Sequence, residues 1–144
     1  MASARPTLLF VCVENSNRSQ MAEGFARALG RDRVTPFSAG SRPARRVNPR
    51  AIEFMKERGI DLTEQSSKGL EELPQCHWDW IVTMGCGDAC PSLPARQRRD
   101  WDLQDPKYLD DAGFRAVRDR IESLVAELIS EAERIGASRS ERNG

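Results

Sequence analysis

The feature that most constrains this 144-residue chain is Cys12-Val-Glu-Asn-Ser-Asn-Arg18-Ser19, set between two stretches of different periodicity. Before and into it, residues 7–13 (TLLFVCV) form a nearly unbroken apolar run, the pattern of a strand covered on both faces in a parallel sheet. After it, Met21, Ala22, Phe25, Ala26 and Leu29 recur at helical spacing as far as Gly30, where the helix should stop. The polar stretch must therefore turn a strand directly into a helix. With five residues between cysteine and arginine, such a turn can curl round one tetrahedral oxyanion, its main-chain N–H groups and those of the helix N-terminus aimed inward.

The residue types fit that use. Arg18 offers a planar fork to two oxygens at once, a geometry lysine lacks. Helix N-termini and a nearby arginine lower a cysteine pKa from about 8.5 to roughly 3.5–7.5, so a nucleophilic Cys12 is expected at neutral pH. Ser19 is placed to donate a hydrogen bond to the sulfur, and Asn15 tolerates the unusual dihedrals of a tight loop. The expected oxyanion-binding set is Val13, Glu14, Asn15, Ser16, Asn17, Arg18 and Ser19. A lone cysteine at a strand end would more simply be a small buried residue, but the strand-loop-helix context is the one the chemistry requires.

The remaining chain supplies a matching scaffold. Residues 34–39 (VTPFSA) read as a second strand, confined to a sheet edge by Pro36. Asn48-Pro49 reads as an N-cap with proline at the first helical position, with Ile52, Phe54 and Met55 inside and Gly59 as the stop. A short helix is expected over 67–73, a buried strand over 80–84 and a weaker fourth strand over 99–103. An apolar stripe from Phe114 to Ile135 marks a long helix, and 136–144 reads as a polar, disordered tail beyond a single domain spanning 1–135. Alternating strands and helices imply a single-domain α/β fold, a four-stranded parallel sheet flanked by helices, with ligands beyond the carboxyl ends of the strands. Cys12, Cys86 and Asp105, each after an expected strand, then share one edge.

Charge and length exclude other classes. Lys plus Arg number 22 and so do Asp plus Glu, so no overall field points to nucleic acid or to an anionic membrane. No stretch approaches the roughly 20 apolar residues of a membrane span, and residues 1–7 lack a secretory signal's apolar segment. A cytoplasmic monomer is expected. Four cysteines in such a compartment are more often reactive, metal-binding or simply buried than paired in structural disulfides.

Through NSNRSQMAEGF, FSAG, VNPRAIEFMKERGIDL, SSK, IVTMGCGDACP and DWDLQDP, covering about residues 8–128, the chain resembles the arsenate reductases built on the low-molecular-weight protein tyrosine phosphatase fold. The resemblance implies arsenate as substrate, phosphate or sulfate as competing oxyanions, and a role in arsenical detoxification. It makes Cys12 the nucleophile, and has Asn15, Arg18 and Ser19 bind the anion or tune the thiolate. Asp105, before Pro106, becomes the acid that protonates a departing oxygen, a contribution of about 10²–10⁴-fold for a well-placed group; an Asp-Pro pair is also an ordinary turn starter. Asp100 and Asp102 are its neighbours and rivals.

Reduction needs two electrons, and the resemblance assigns them to thiols. Cys86 would attack the Cys12 sulfur, releasing arsenite, and Cys90 would then attack Cys86, carrying the disulfide toward thioredoxin. Gly85, Gly87 and Pro91 suit a rearranging segment. Three residues separate Cys86 from Cys90, tighter than in well-known thioredoxin-coupled members, so glutaredoxin and mycothiol stand as rival reductants. A phosphatase using only Cys12, Arg18 and Asp105 is the alternative on the same scaffold. A zinc-binding or redox-sensing module built from Cys76, His77, Cys86 and Cys90 is the alternative from another class, although neither cysteine pair has knuckle spacing. Cys76 and His77 are otherwise expected to be bystanders, and no metal or organic cofactor is expected. Some relatives hold a potassium ion behind the loop through residues matching Asn15, Glu23 and Ser38 with an aspartate; Lys68 here stands at that fourth place, where its ammonium could replace the ion. Trp78, Trp80 and Trp101 are expected to pack in or around the core.

Overall fold

Four six-residue strands carry the fold: β1 (Thr7–Cys12), β2 (Thr35–Gly40), β3 (Trp78–Thr83) and β4 (Ala95–Asp100). The computed structural model describes residues 5–85 and 93–143. The strands pair all-parallel in the order β2-β1-β3-β4, with Cys12 opposite Gly40 and Val11 opposite Thr83. The apolar run of residues 7–13 thus becomes an inner strand, and the proline-bearing strand lies at an edge, as its missing N–H requires. Because β2 lies on one side of β1 and β3 on the other, the chain reverses its direction of winding beside Cys12. In open parallel sheets that reversal leaves a crevice at the carboxyl ends of the strands.

Three helices complete the domain: α1 (Arg18–Gly30), α2 (Pro49–Lys56) and α3 (Asp111–Asn143). The Asn48 side chain caps α2 by accepting from the Arg50 N–H, with Pro49 in the first turn. The helices bury Phe25, Phe54, Met55, Phe114, Ile121 and Val125 against Leu8, Phe10, Trp80 and Val82 of the sheet. Phe54 and Phe114 stack with centroids 5.0 Å apart. The second, smaller cluster holds Leu9, Val11, Ala39, Trp78 and Ile81 and contains no residue of α1, α2 or α3; Leu70, Leu73 and Leu93 pack against it. Among the described residues no helix is long and apolar enough to cross a membrane.

Several expectations need correction. The fourth strand is Ala95–Asp100, not 99–103. Its sequence, ARQRRD, carries no apolar alternation because arginine stems replace core side chains: Arg99 lies 5.2 Å from the Trp80 ring and pairs with Glu131 of α3. The segment 67–73 contains only a 3-10 turn, Leu70–Glu72, preceded by a parallel bridge between Gly69 and Gly40. Leu29 is exposed, on the solvent side of α1. The backbone of α3 stays helical through Asn143 instead of ending near Ile135; past Gly136 the chain has no proline, and Ala137, Arg139, Glu141 and Arg142 favour helix.

Glu57, the C-cap of α2, clamps that helix to α3. Its carboxylate accepts from both Arg115 (Nε 3.0 Å, Nη2 2.9 Å) and Arg118 (Nη1 2.6 Å). Hydrogen bonds from Arg115 and then Arg118 pull its pKa from the ordinary 4.5 to about 2. A depressed folded-state pKa stabilises the fold above the unfolded value, and that stabilisation disappears as pH falls through the folded one. Urea titrations of Glu57→Gln and wild type should therefore differ above about pH 4.5, with wild type the more stable, and converge as pH approaches 2.

Candidate active site

The loop after β1 is held open by what surrounds it. The Val13 carbonyl accepts from the Arg42 N–H (2.8 Å) and the Glu14 carbonyl from the Ala44 N–H (2.9 Å) and Ser67 Oγ (3.0 Å). The Asn15 carbonyl accepts from Gln20 Nε2 (3.1 Å), the Ser16 carbonyl from the Asn48 N–H (3.1 Å) and the Asn17 carbonyl from the Met21 N–H (2.9 Å). Every carbonyl from 13 to 17 is thus satisfied from outside. The N–H groups of Glu14 to Ser19 find no acceptor among the described residues. Unpaired amides on half-buried Glu14 and buried Asn15 to Ser19, leading into a helix, make the geometry of an anion nest.

Two backbone features set the curl. Asn15 adopts φ +50, the left-handed region that asparagine tolerates better than most residues. Gly40, across the ladder from Cys12, leaves the room: a Cβ there would lie 2.5 Å from the Val13 carbonyl oxygen and 2.9 Å from the Asn15 nitrogen. Both obstacles are main chain, so no larger residue fits without moving the loop.

Inside this frame Cys12 is buried (3% exposed), with Sγ 2.8 Å from Ser19 Oγ. Ser19 Oγ also accepts from Asn15 Nδ2 at 2.7 Å. Arg18 is buried too (8% exposed). Its Nη1 donates to the carbonyls of Met84 (2.7 Å) and Leu103 (2.9 Å), bracing the loop against the ends of β3 and the segment after β4. The edge formed by Nε and Nη2 is left for a ligand, so the bidentate fork is available only from that side. Nη2 lies 3.9 Å from Asp105 Oδ2, which brings the expected acid to the expected cradle. Asp105 Oδ1 caps the 3-10 turn Pro106–Tyr108 by accepting from the Lys107 N–H, so one carboxyl oxygen is structural and the other faces Arg18. Asp100 is occupied otherwise, accepting from Thr83 Oγ1 (2.6 Å) and the Gly85 N–H.

Cys86 and Cys90 lie outside the described residues. Gly85, immediately before Cys86, has φ +69, and a Cβ there would come within 3.6 Å of Arg18 Nη1. Cys76 is exposed, beyond the opposite end of β3. Partial desolvation, and then the Asp79 carboxylate, push its thiol up, the wrong direction for a nucleophile. His77 accepts from Arg96 Nε at 2.7 Å on the same surface. Cys76 and His77 precede the start of β3, whereas Gly85, the last described residue before Cys86, follows its other end, about 17 Å away at 3.3 Å per residue step.

Behind the loop, Glu23 is buried (side chain 7% exposed) and accepts from Ser38 and Arg27, and Lys68 Nζ stands 4.0 Å from its Oε1. The lysine ammonium therefore occupies the neighbourhood of Asn15, Glu23 and Ser38, with the Lys68 N–H donating to Asn15 Oδ1 at 3.0 Å. Gln20, Gln65, Ser67 and Gly40 were not identified as site residues from sequence, where three of them resemble ordinary surface polar groups. The one usable signal was Gln20 beginning the buried side of α1. Asn17 Oδ1 is buried without a partner among the described residues; as an acceptor it cannot favour a bare anion, which leaves the Asn17 N–H as that residue's useful group.

The family model for low molecular weight phosphotyrosine protein phosphatase matches residues 7–139, nearly the whole chain. The chain belongs to that family. Among its relatives, the "Glutaredoxin arsenate reductase" of Synechocystis sp. is 39% identical over 128 residues, covering 84% of this chain and 97% of that protein. A solved "arsenate reductase in the phosphate binding state" superposes with a TM-score of 0.80 at 36% identity, covering 88% of this chain and 98% of that one. The thioredoxin-dependent arsenate reductase Cg_ArsC1' of Corynebacterium glutamicum superposes with a TM-score of 0.75 at 30% identity, covering 92% of this chain and 64% of that one.

Replacing Arg18 by lysine removes the fork and the brace to Met84 and Leu103 together. Phosphate affinity measured by titration calorimetry should fall about tenfold or more, since a hydrogen bond to a charged group contributes about 1.5–3 kcal/mol.

Proposed function

We propose that this family member reduces arsenate to arsenite, with Cys12 as nucleophile and Cys86 and Cys90 as relay thiols. The observation that carries the reading is the ring of N–H groups from Glu14 to Ser19, unpaired among the described residues, closing on a buried cysteine that touches Ser19. The nest takes three oxygens of a tetrahedral anion and presents its central atom to sulfur. Cys12 thiolate attacks arsenic(V), and one oxygen leaves as water with a proton from Asp105. Cys86 thiolate then attacks Cys12 Sγ: a sulfur–sulfur bond forms, the sulfur–arsenic bond breaks, and its electron pair stays on arsenic, now arsenic(III). Cys90 attacks Cys86, freeing the Cys12 thiolate and leaving a Cys86–Cys90 disulfide for a dithiol reductant.

Two features support the relay over a simple phosphatase. Gly85 abuts Arg18, so Cys86 is tethered one residue, about 3.8 Å of chain, from the site. Two cysteines in CGDAC are also superfluous to phosphate-ester hydrolysis, which water completes. Thioredoxin is the proposed reductant, with glutaredoxin, after which the Synechocystis relative is named, as the competitor. Arsenate is the proposed partner ligand, with phosphate competing for the same nest, in a protein that works as a cytoplasmic monomer.

Cys12→Ser should abolish arsenate turnover. Cys90→Ser should release one arsenite per protein and stop as a Cys12–Cys86 disulfide, identified by peptide mapping. Multiple turnover by Cys86→Ser with thioredoxin as the sole reductant would contradict the relay.

A further inference from the structure

We infer that Gln65 and Gln20 are positioning residues that set the direction of a hydrogen-bond chain ending on the Cys12 sulfur. The inference rests on the reading of Cys12 as a thiolate nucleophile and extends it through Gln20 to Gln65, about fifty positions away in sequence.

The chain can be followed because a backbone group fixes each amide. Gln20 is completely buried, and its Nε2 lies 3.1 Å from the Asn15 carbonyl and 3.0 Å from the Ser66 carbonyl. Carbonyls only accept, so that end of Gln20 must be the NH₂. Gln65 Nε2 lies 3.0 Å from the Gln20 carbonyl, which fixes Gln65 in the same way, and 2.7 Å from Gln20 Oε1. Asn15 Oδ1 lies 3.0 Å from the Lys68 N–H, an obligate donor, so this atom is the oxygen; it also accepts from Gln20 Nε2 at 3.0 Å, sharing with the Asn15 carbonyl the amide proton that is not directed to Ser66. Asn15 must then present its NH₂ to Ser19 Oγ at 2.7 Å. The geometry between Ser19 Oγ and Cys12 Sγ, 2.8 Å, leaves open which atom donates. With Asn15 already donating into the serine oxygen, the serine proton is directed to the sulfur. All donors from Gln65 through Gln20, Asn15 and Ser19 point one way, and a chain of that polarity stabilises a thiolate over a thiol.

Gln65 is only partly buried and sits at a turn closed by its N–H to the Leu62 carbonyl, so it can be changed without opening the core. Gln65→Met removes the donor without adding charge. Gln65→Glu offers only acceptors: Gln20 must rotate its NH₂ toward the new carboxylate and turn its oxygen against the carbonyls of Asn15 and Ser66. The charged groups around Cys12 stay in place in both variants: Arg18 and Asp105, Glu14 with Lys107 at the rim, and Glu23 with Arg27 and Lys68 behind the loop.

The test is the pH profile of Cys12 alkylation by iodoacetamide in the full-length protein, followed on the Cys12 peptide by mass spectrometry so that the other cysteines do not interfere. Fold retention is checked by circular dichroism. Relative to wild type, the rate at neutral pH should fall about threefold in Gln65→Met and about tenfold in Gln65→Glu, with the profile displaced to higher pH and the alkaline plateau unchanged. The order should persist at about 1 M salt, where a through-space effect of the new carboxylate is screened within about 3 Å. Should a variant not fold, the side-chain amide resonances of Gln20 and Gln65 in wild type must shift at the same pH midpoint as Cys12 alkylation. Unchanged profiles in folded variants, loss of the order at high salt, or amide signals indifferent to that midpoint would overturn the inference. A wild-type Cys12 that reacts no faster at neutral pH than an ordinary thiol would instead overturn the thiolate reading beneath it.

Discussion

The site depends on which way five peptide groups face. Carbonyls 13 to 17 each meet a donor outside the loop, and this leaves the following N–H groups turned inward without an acceptor among the described residues. Buried amides without partners are costly. The arrangement survives because the outward bonds come from several elements at once: Arg42 and Ala44 after β2, Asn48 at the cap of α2, Gln20 on α1 and Ser67 before the Gly69 bridge. An anion bound there would relieve that cost, and the surrounding fold holds the nest in shape beforehand, so little reorganisation would oppose binding.

The same constraint explains the fold around it. β1 must end beside two neighbours for its loop to be reached from both sides, and the order β2-β1-β3-β4 provides this. Gly40 lets β2 pass against the loop, and Arg18 ties the loop to Met84 at the end of β3 and to Leu103 beyond β4. One guanidinium thereby connects the proposed anion nest, Gly85 after β3 and the turn that begins at Asp105. A phosphatase and a reductase could share all of this; the chemistry diverges only in the thiols that follow Gly85.

Much of this was legible in the chain. The strand, loop and helix around Cys12 announce themselves through a change of apolar period, and Asn48-Pro49 marks the start of α2 by capping chemistry alone. β4 was misplaced because an edge strand that covers Trp80 with an arginine has no hydrophobic alternation to read. The short helix expected over 67–73 shrank to one turn because that segment is stretched out to bridge Gly40. The clamp on the loop was illegible for a different reason: Gln20, Gln65 and Ser67 act through contacts spanning 45 to 53 residues, and polar side chains in a list of residues do not reveal that they are buried.

The claim that the inward amides bind the anion is tested most directly by a phosphate titration of the reduced, ¹⁵N-labelled protein followed by two-dimensional NMR. The account predicts that the amide protons of Glu14 to Ser19 move downfield together and saturate with one dissociation constant. Shifts confined to exposed arginines such as Arg42 and Arg46, with the loop amides unmoved, would contradict it.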